Sequence, residues 1–276
     1  MFVEPFSGFA IYDDAYYRGE GPDPYVDYEA EYRDWRQTDR MLEFDDLFRI
    51  AEAQVRAAAA RGEGSREKAA ASPPLRWLDF GCGAGALLKY LQERGSLAGR
   101  ALELSGHDVG SYAELLKSHD GFRILDWDEL SAHPGESYDV ISMIEVIEHL
   151  PDPRSALSLV SRLLKPGGLL LLTTGNLRSP IAARQGIHYR YCAPEIHVSL
   201  FNPKCLSHLY RQVGLEPLSV RYDGVVKFKV VKSLRRRPTL RRLMQAALAL
   251  PPVVRAIDAA YGVSDMPCAV KPRAGA

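Results

Sequence analysis

The chain reads as an α/β protein built on a doubly wound, mostly parallel sheet of seven strands with helices on both faces, and three observations predict it. From Leu75 onward, short apolar runs alternate with stretches of helical period, as parallel strands joined by crossover helices do. The segment Arg76 to Leu88 passes from an apolar strand through glycines at 81, 83 and 85 into a helical run. Lys165-Pro166-Gly167-Gly168 then punctuates the chain just before the apolar run 169–172.

Taken in order, residues 1–27 lack a clear period and are rich in Asp, Gly, Pro and Tyr, including Tyr12, Tyr16, Tyr17 and Tyr25, which predicts an irregular arm. From Tyr28 to about Arg61 apolar residues recur at helical spacing, predicting one or two helices. Gly62 to Pro74 is small, polar and ends in two prolines, a linker composition. Strands are expected at 75–80, 101–107, 122–125, 138–143 and 168–174, with helices at 84–94, 110–119 and 152–164 and a short turn near Asp128. A polar and aromatic passage at about 175–202 reads as a lid, followed by a helix at 203–213. Two apolar runs, 215–222 and 225–231, flank Asp223-Gly224, which predicts that the sheet closes with an antiparallel hairpin. The expected organisation is an arm and helical cap at 1–74, a core at 75–232, and a basic, apolar helical extension at 233–276.

Composition excludes the unusual classes. With 276 residues, 46% hydrophobic and 25% charged, the chain falls in the ordinary globular range. Its apolar runs are too short for a membrane-spanning helix, and the N-terminus lacks a basic region followed by an apolar one, so a cytoplasmic location is expected. The four cysteines show no C-x-x-C pair, arguing against a zinc cluster or a disulfide framework. A formal net charge of zero argues against nucleic acid as a partner, yet the ends differ: residues 1–60 hold 14 acids against 6 bases, while residues 227–255 hold nine bases and no acid. That basic stretch suits peripheral contact with an anionic membrane or a phosphorylated substrate, or packing against the acidic end of this chain or of a second subunit.

The chemistry is concentrated in Leu78-Asp79-Phe80-Gly81-Cys82-Gly83-Ala84-Gly85. Glycines after a strand let the chain turn sharply and bring its backbone against a ligand. The spacing is G-x-G-x-G, and an acid stands at its head. A carboxylate there opposes a pyrophosphate but suits an ammonium group, which turns the reading away from a nicotinamide dinucleotide.

At this point the sequence resembles the class I S-adenosylmethionine-dependent methyltransferases, whose fold is Rossmann-like, over about 75–231. The resemblance implies S-adenosylmethionine as cofactor, held by Asp79, Gly81, Cys82, Gly83 and Gly85. It implies an acid for the ribose at Asp108, with Glu103 as the alternative, and Asp126 and Trp127 beside the adenine. Glu145, in the fourth-strand segment Tyr138 to Pro153, is a further cofactor candidate.

Transfer to a hydroxyl requires a proton acceptor, for which histidine is suited. His149, at the mouth of the crevice, is the first candidate, against a purely structural role in shaping the pocket. His188 and His197, in the lid, are the others, His197 being equally readable as part of a structural turn. Glu145, Glu148 and His149 stand at i, i+3 and i+4, which would gather them on one face of a helix and suit a divalent metal. The pattern resembles the ubiquinone-biosynthesis O-methyltransferase branch, in which a metal has a role; metal-free relatives share it, and no metal site is assigned. The expected activity is methylation of a hydroxyl oxygen on a secondary metabolite, quinone or sugar, with C- or N-methylation or a non-catalytic partner subunit as alternatives.

Overall fold

The computed structural model describes residues 32–37, 40–60, 73–110, 112–192, 197–234, 237–262 and 266–273. The predicted irregular arm and most of the predicted linker lie outside them.

Five parallel strands form the centre: β1 (Leu75–Phe80), β3 (Arg100–His107), β4 (Arg123–Leu125), β5 (Tyr138–Ile144) and β6 (Leu164–Thr173). A two-residue strand that comes between β1 and β3 in sequence, β2 (Ser96–Leu97), pairs antiparallel with the start of β3 on its side away from β1, while β4 pairs with the carboxyl half of β3. Beyond β6 the sheet is completed by β8 (Cys268–Val270) and then β7 (Glu216–Leu218), both pairs antiparallel. Among the described residues the sheet therefore has eight strands, the short β2 making the difference from seven.

The crossover helices are α2 (Ala86–Arg94), α3 (Tyr112–Ser118), α4 (Trp127–Ala132) and α5 (Pro153–Leu163), preceded in the chain by α1 (Met41–Ala60). Alternation along each strand divides the core into two layers. Trp77, Leu169 and Leu171 face one side, where Phe44, Leu47, Leu87 and Leu91 from α1 and α2 cover them. Leu78, Phe80, Leu170 and Leu172 face the other, against Leu157 and Val160 of α5. Each such leucine contributes about 1.5–3 kcal/mol on burial.

The predicted closing hairpin is not formed. Asp223-Gly224 opens a helix, α8 (Asp223–Ser233), rather than a turn between strands. Its glycine serves close packing: a Cβ at Gly224 would overlap the Leu42 carbonyl oxygen of α1, and the Gly224 amide donates to Asp46 Oδ2. Lys227 and Lys229 alternate with apolar residues as a strand would, but the buried residues Val226, Val230 and Val231 follow the helical face. The antiparallel partner of β7 is β8, drawn from the stretch read as a C-terminal extension. The Gly167 amide donates to the Lys271 carbonyl at 2.8 Å and the Lys271 amide to Gly168 at 2.9 Å, extending the pairing with β6.

Three further helices follow the lid or α8: α7 (Pro203–Gln212), α9 (Pro238–Ala247) and α10 (Pro251–Tyr261). Among the described residues no single helix is long and apolar enough to cross a membrane. The lid begins after β6 and contains α6 (Pro180–Gln185); its ends are tied where the Leu177 amide donates to the Phe201 carbonyl at 2.8 Å.

Candidate active site

Parallel pairing sets three strand ends side by side. Phe80 is registered with His107, and His107 with Leu125, so Gly81, Asp108 and Asp126 follow one another across the carboxyl edge of β1, β3 and β4. This edge is where open α/β sheets bind ligands.

Gly81, Gly83 and Gly85 have φ of 82°, 51° and 77°, a left-handed conformation that side chains rarely adopt. Packing enforces two of them: a Cβ at Gly81 would overlap Val146, and one at Gly85 would overlap Leu116. The turn is anchored by the amides of Gly81 and Cys82, which donate to the His107 carbonyl at 2.7 and 3.0 Å. Asp108 accepts from the Gly83 amide and the Gly110 amide, both at 2.7 Å. Two backbone donors thus aim its carboxylate while leaving lone pairs for a ligand hydroxyl. Glu103 lies five residues earlier, in an exposed ion pair with Arg76 at 3.2 Å, and is not brought to this edge.

Asp79 is buried, and Ser142 on the neighbouring strand donates to its Oδ1 at 2.7 Å while accepting the Trp77 indole N–H at 3.0 Å. Ser142 was not among the predicted site residues. Its signal is a lone hydroxyl in the apolar strand Val140-Ile141-Ser142-Met143-Ile144, which must find partners when buried. Cys82 is also buried, and burial, reinforced by the charges of Asp108 and Asp79, pushes its thiol well above the ordinary range. It is therefore a packing residue of the turn rather than a nucleophile.

Asp126 is the N-cap of α4, accepting from the Glu129 amide at 2.8 Å while Glu129 accepts the Asp126 amide at 2.9 Å. Trp127 is 46% exposed, its ring edge-on to Phe80 at 6.4 Å and tilted against His107 at 5.9 Å. One face of a planar ligand has an indole to meet here. His107, whose Nδ1 meets the Leu125 carbonyl at 2.9 Å, is a structural member of this wall that sequence reasoning missed.

The fourth-strand turn differs from the expected helix. Ile147–His149 forms a single 3-10 turn, and Glu145 precedes it with φ 58°. Glu145 reaches the lid, where the Tyr191 hydroxyl donates to its Oε2 and the Arg190 guanidinium stands 3.9 Å away, and it stays close enough for its charge to act on Glu148. In place of Glu145, the lid contributes His197. The ligand atoms of Glu148, His149 and His197 all lie within 4.8 Å of one another.

Glu148 and His197 are buried and His149 is half-buried. His149 and His197 have ring centroids 4.9 Å apart, and Tyr191 stacks on His197 at 5.2 Å. The lid is pinned there by the Val198 and Ser199 amides, which donate to the Glu148 carbonyl at 2.9 and 3.1 Å. Burial, with the His149 charge adding to it, lowers His197 to about 4. Burial and then the Glu145 charge push Glu148 well above the usual carboxylate range. Neither Glu148 oxygen nor His197 Nδ1 has a hydrogen-bond partner. Such a group of orphaned, converging ligand atoms fits a proton-bearing substrate or a cation. His188, exposed in the turn Gly186–His188, does not join it.

Comparison with known proteins shows the family of the chain. A family model described as a methyltransferase domain matches residues 48–220. The chain is 33% identical over 154 residues to the ubiquinone biosynthesis O-methyltransferase of Thiobacillus denitrificans, covering 50% of this chain and 63% of that protein. It is 31% identical over 169 residues to the protein of the same name from Bordetella pertussis, covering 56% and 68%. Among solved structures it is similar to Haemonchus contortus phosphoethanolamine N-methyltransferase 2 in complex with S-adenosyl-L-methionine, at 15% identity and TM-score 0.48, covering 92% and 62%.

Proposed function

Since the chain belongs to the class I S-adenosylmethionine-dependent methyltransferases, we propose that it methylates a hydroxyl oxygen of a small aromatic or quinone-like acceptor. When bound, S-adenosylmethionine supplies an electrophilic methyl group. The residues that would hold it are Asp79 and the glycine turn at 81–85 for its amino-acid end, Asp108 for the ribose and Trp127, with Asp126, for the adenine. That donor set fits: a buried acid, a backbone turn free of Cβ atoms, an aimed carboxylate and an exposed indole follow one another along one strand edge.

The observation that carries the hydroxyl reading is the pair His149 and His197, their rings 4.9 Å apart and tilted, where the turn after β5 meets the segment carrying His197. His149 takes the acceptor proton. His197, held neutral by burial, keeps an acceptor nitrogen facing the same space, and Tyr191 and Tyr189 wall it against water. Alignment of acceptor and methyl donor supplies most of the rate, and proton removal about 10²–10⁴-fold. The two O-methyltransferase relatives support the choice of oxygen and of a quinone-like ring. The test is turnover on a panel of catechols, hydroquinones, phenols and amines, with the product located by mass spectrometry and NMR. Methyl ethers are expected; transfer confined to nitrogen or carbon acceptors would overturn the reading.

A second reading places a divalent cation at Glu148, His149 and His197, favoured by their convergence and by the orphaned Glu148 carboxylate. A cation there would lower the pKa of a bound hydroxyl. Loss of turnover on chelation, restored by added metal with S-adenosylmethionine affinity unchanged, selects it.

A further inference from the structure

We propose that α9 and α10 together form a docking surface for an anionic lipid bilayer, lying along its headgroup region. Leu240, Leu243, Ala247 and Leu250 follow the spacing i, i+3, i+7, i+10, so they share one stripe of α9 and its extension. That stripe faces outward: Leu240, Leu243 and Leu250 are 40%, 65% and 57% exposed. Met244 and Leu248 form the inner edge of the same apolar face and pack against the core. The core covers only that edge, so the outer edge leaves large leucines exposed for a second apolar phase.

Charge specifies that phase. Arg237, Arg242 and Arg255 are exposed around the stripe, and residues 227–255 contain nine bases and no acid. The next acid, Asp258, is buried and faces Arg221. The acids of α1 are answered locally: Asp45 by Arg94, Asp46 by Arg49 and the Gly224 amide, and Glu52 by Arg56. An apolar stripe bordered by arginines matches an acyl boundary beneath anionic headgroups. Nucleic acid would meet the arginines but leave the leucines in water. The two helices meet at a bend of 107°, which suits lying on a surface rather than spanning it.

The surface adjoins the lid. A Cβ at Gly262, the C-cap of α10, would overlap Pro180, the first residue of α6, and the Gly262 carbonyl accepts from the Asn176 side chain at 3.2 Å. Docking therefore sets the lid beside the bilayer, a consequence that rests on the methyltransferase reading, whereas docking itself does not.

The test is flotation of the full chain with vesicles of phosphatidylcholine alone and of phosphatidylcholine with phosphatidylglycerol, with S-adenosylmethionine affinity and thermal unfolding measured alongside. The expected result is binding to the anionic vesicles only, weakened by added salt. Removing the arginines as R237A, R242A and R255A should weaken it by about fivefold each. Leu243→Asp should abolish it with unfolding and cofactor affinity unchanged. Absence of binding at low salt, equal binding to neutral vesicles, or a Leu243→Asp effect seen only as loss of a dimer in gel filtration would each overturn the proposal.

Discussion

The Gly83 amide donates to Asp108 Oδ2 at 2.7 Å, joining the turn after β1 to the end of β3. One carboxylate thus shapes the glycine turn and is the group proposed to meet the ribose. Asp108→Ala is expected to weaken S-adenosylmethionine binding by about 10–100-fold, the range for hydrogen bonds to a charged group. Asp108→Asn should keep part of the affinity because one acceptor oxygen survives. Calorimetry decides it, and unchanged affinity in Asp108→Ala would remove the assignment.

Ser142 satisfies two buried groups at once, Asp79 and the Trp77 indole. Ser142→Ala leaves both without it, at an expected cost of about 1–3 kcal/mol in urea unfolding. Because Asp79 also loses the donor that orients it, cofactor affinity should fall in the same variant.

His149→Ala should lower turnover by about 10²–10⁴-fold while leaving cofactor affinity within a fewfold of the parent. His188→Ala, on the exposed turn, should leave both unchanged. Equal turnover in the parent and His149→Ala ends base catalysis by this residue.

His197 and Glu148 give stability opposite pH dependences. His197 is lowered from 6.5 to about 4, so between those values the unfolded chain binds a proton that the native protein refuses. Its contribution is complete above pH 6.5 and is lost as pH falls, by up to about 3 kcal/mol. Glu148 is raised above 4.5, so its contribution is complete below that value and is lost as pH rises. Urea unfolding between pH 4.5 and 7 should show stability falling with pH in His197→Gln and rising with pH in Glu148→Gln. Parallel slopes in the two variants would contradict this.

Gly224 brings α8 against α1. Gly224→Ala must displace the Leu42 carbonyl, and a cost of about 1–3 kcal/mol is expected from overpacking. Thermal unfolding of G224A against the parent measures it, and an unchanged midpoint would contradict the close approach of α8 to α1.

The parallel half of the sheet was legible because each of its strands is bounded by its own glycine, proline or cap signal, and the pairing is local in sequence. The grouping of the glycine turn with Asp108 and Asp126 followed from it, since a turn and acids after consecutive strands need only strand order to come together. The hairpin was misread because Lys227 and Lys229 alternate as in a strand, whereas the deciding fact, the approach of Leu42 to Gly224, links residues far apart in sequence. Glu145 was misplaced for a related reason: i, i+3, i+4 spacing gathers side chains only in an α-helix, and φ 58° at Glu145 takes it out of one. His197 was seen as a candidate, but its partnership with Glu148 depends on how the lid folds back.

The insertion of β8 between β6 and β7 has a consequence for biosynthesis. During translation β6 emerges with one hydrogen-bonding edge open, and its partner Cys268–Val270 is made long after the parallel strands are able to form. A nascent chain in this state offers an apolar strand edge to any other chain nearby, so changes near Cys268 should be felt as aggregation during synthesis as well as in the stability of the finished protein.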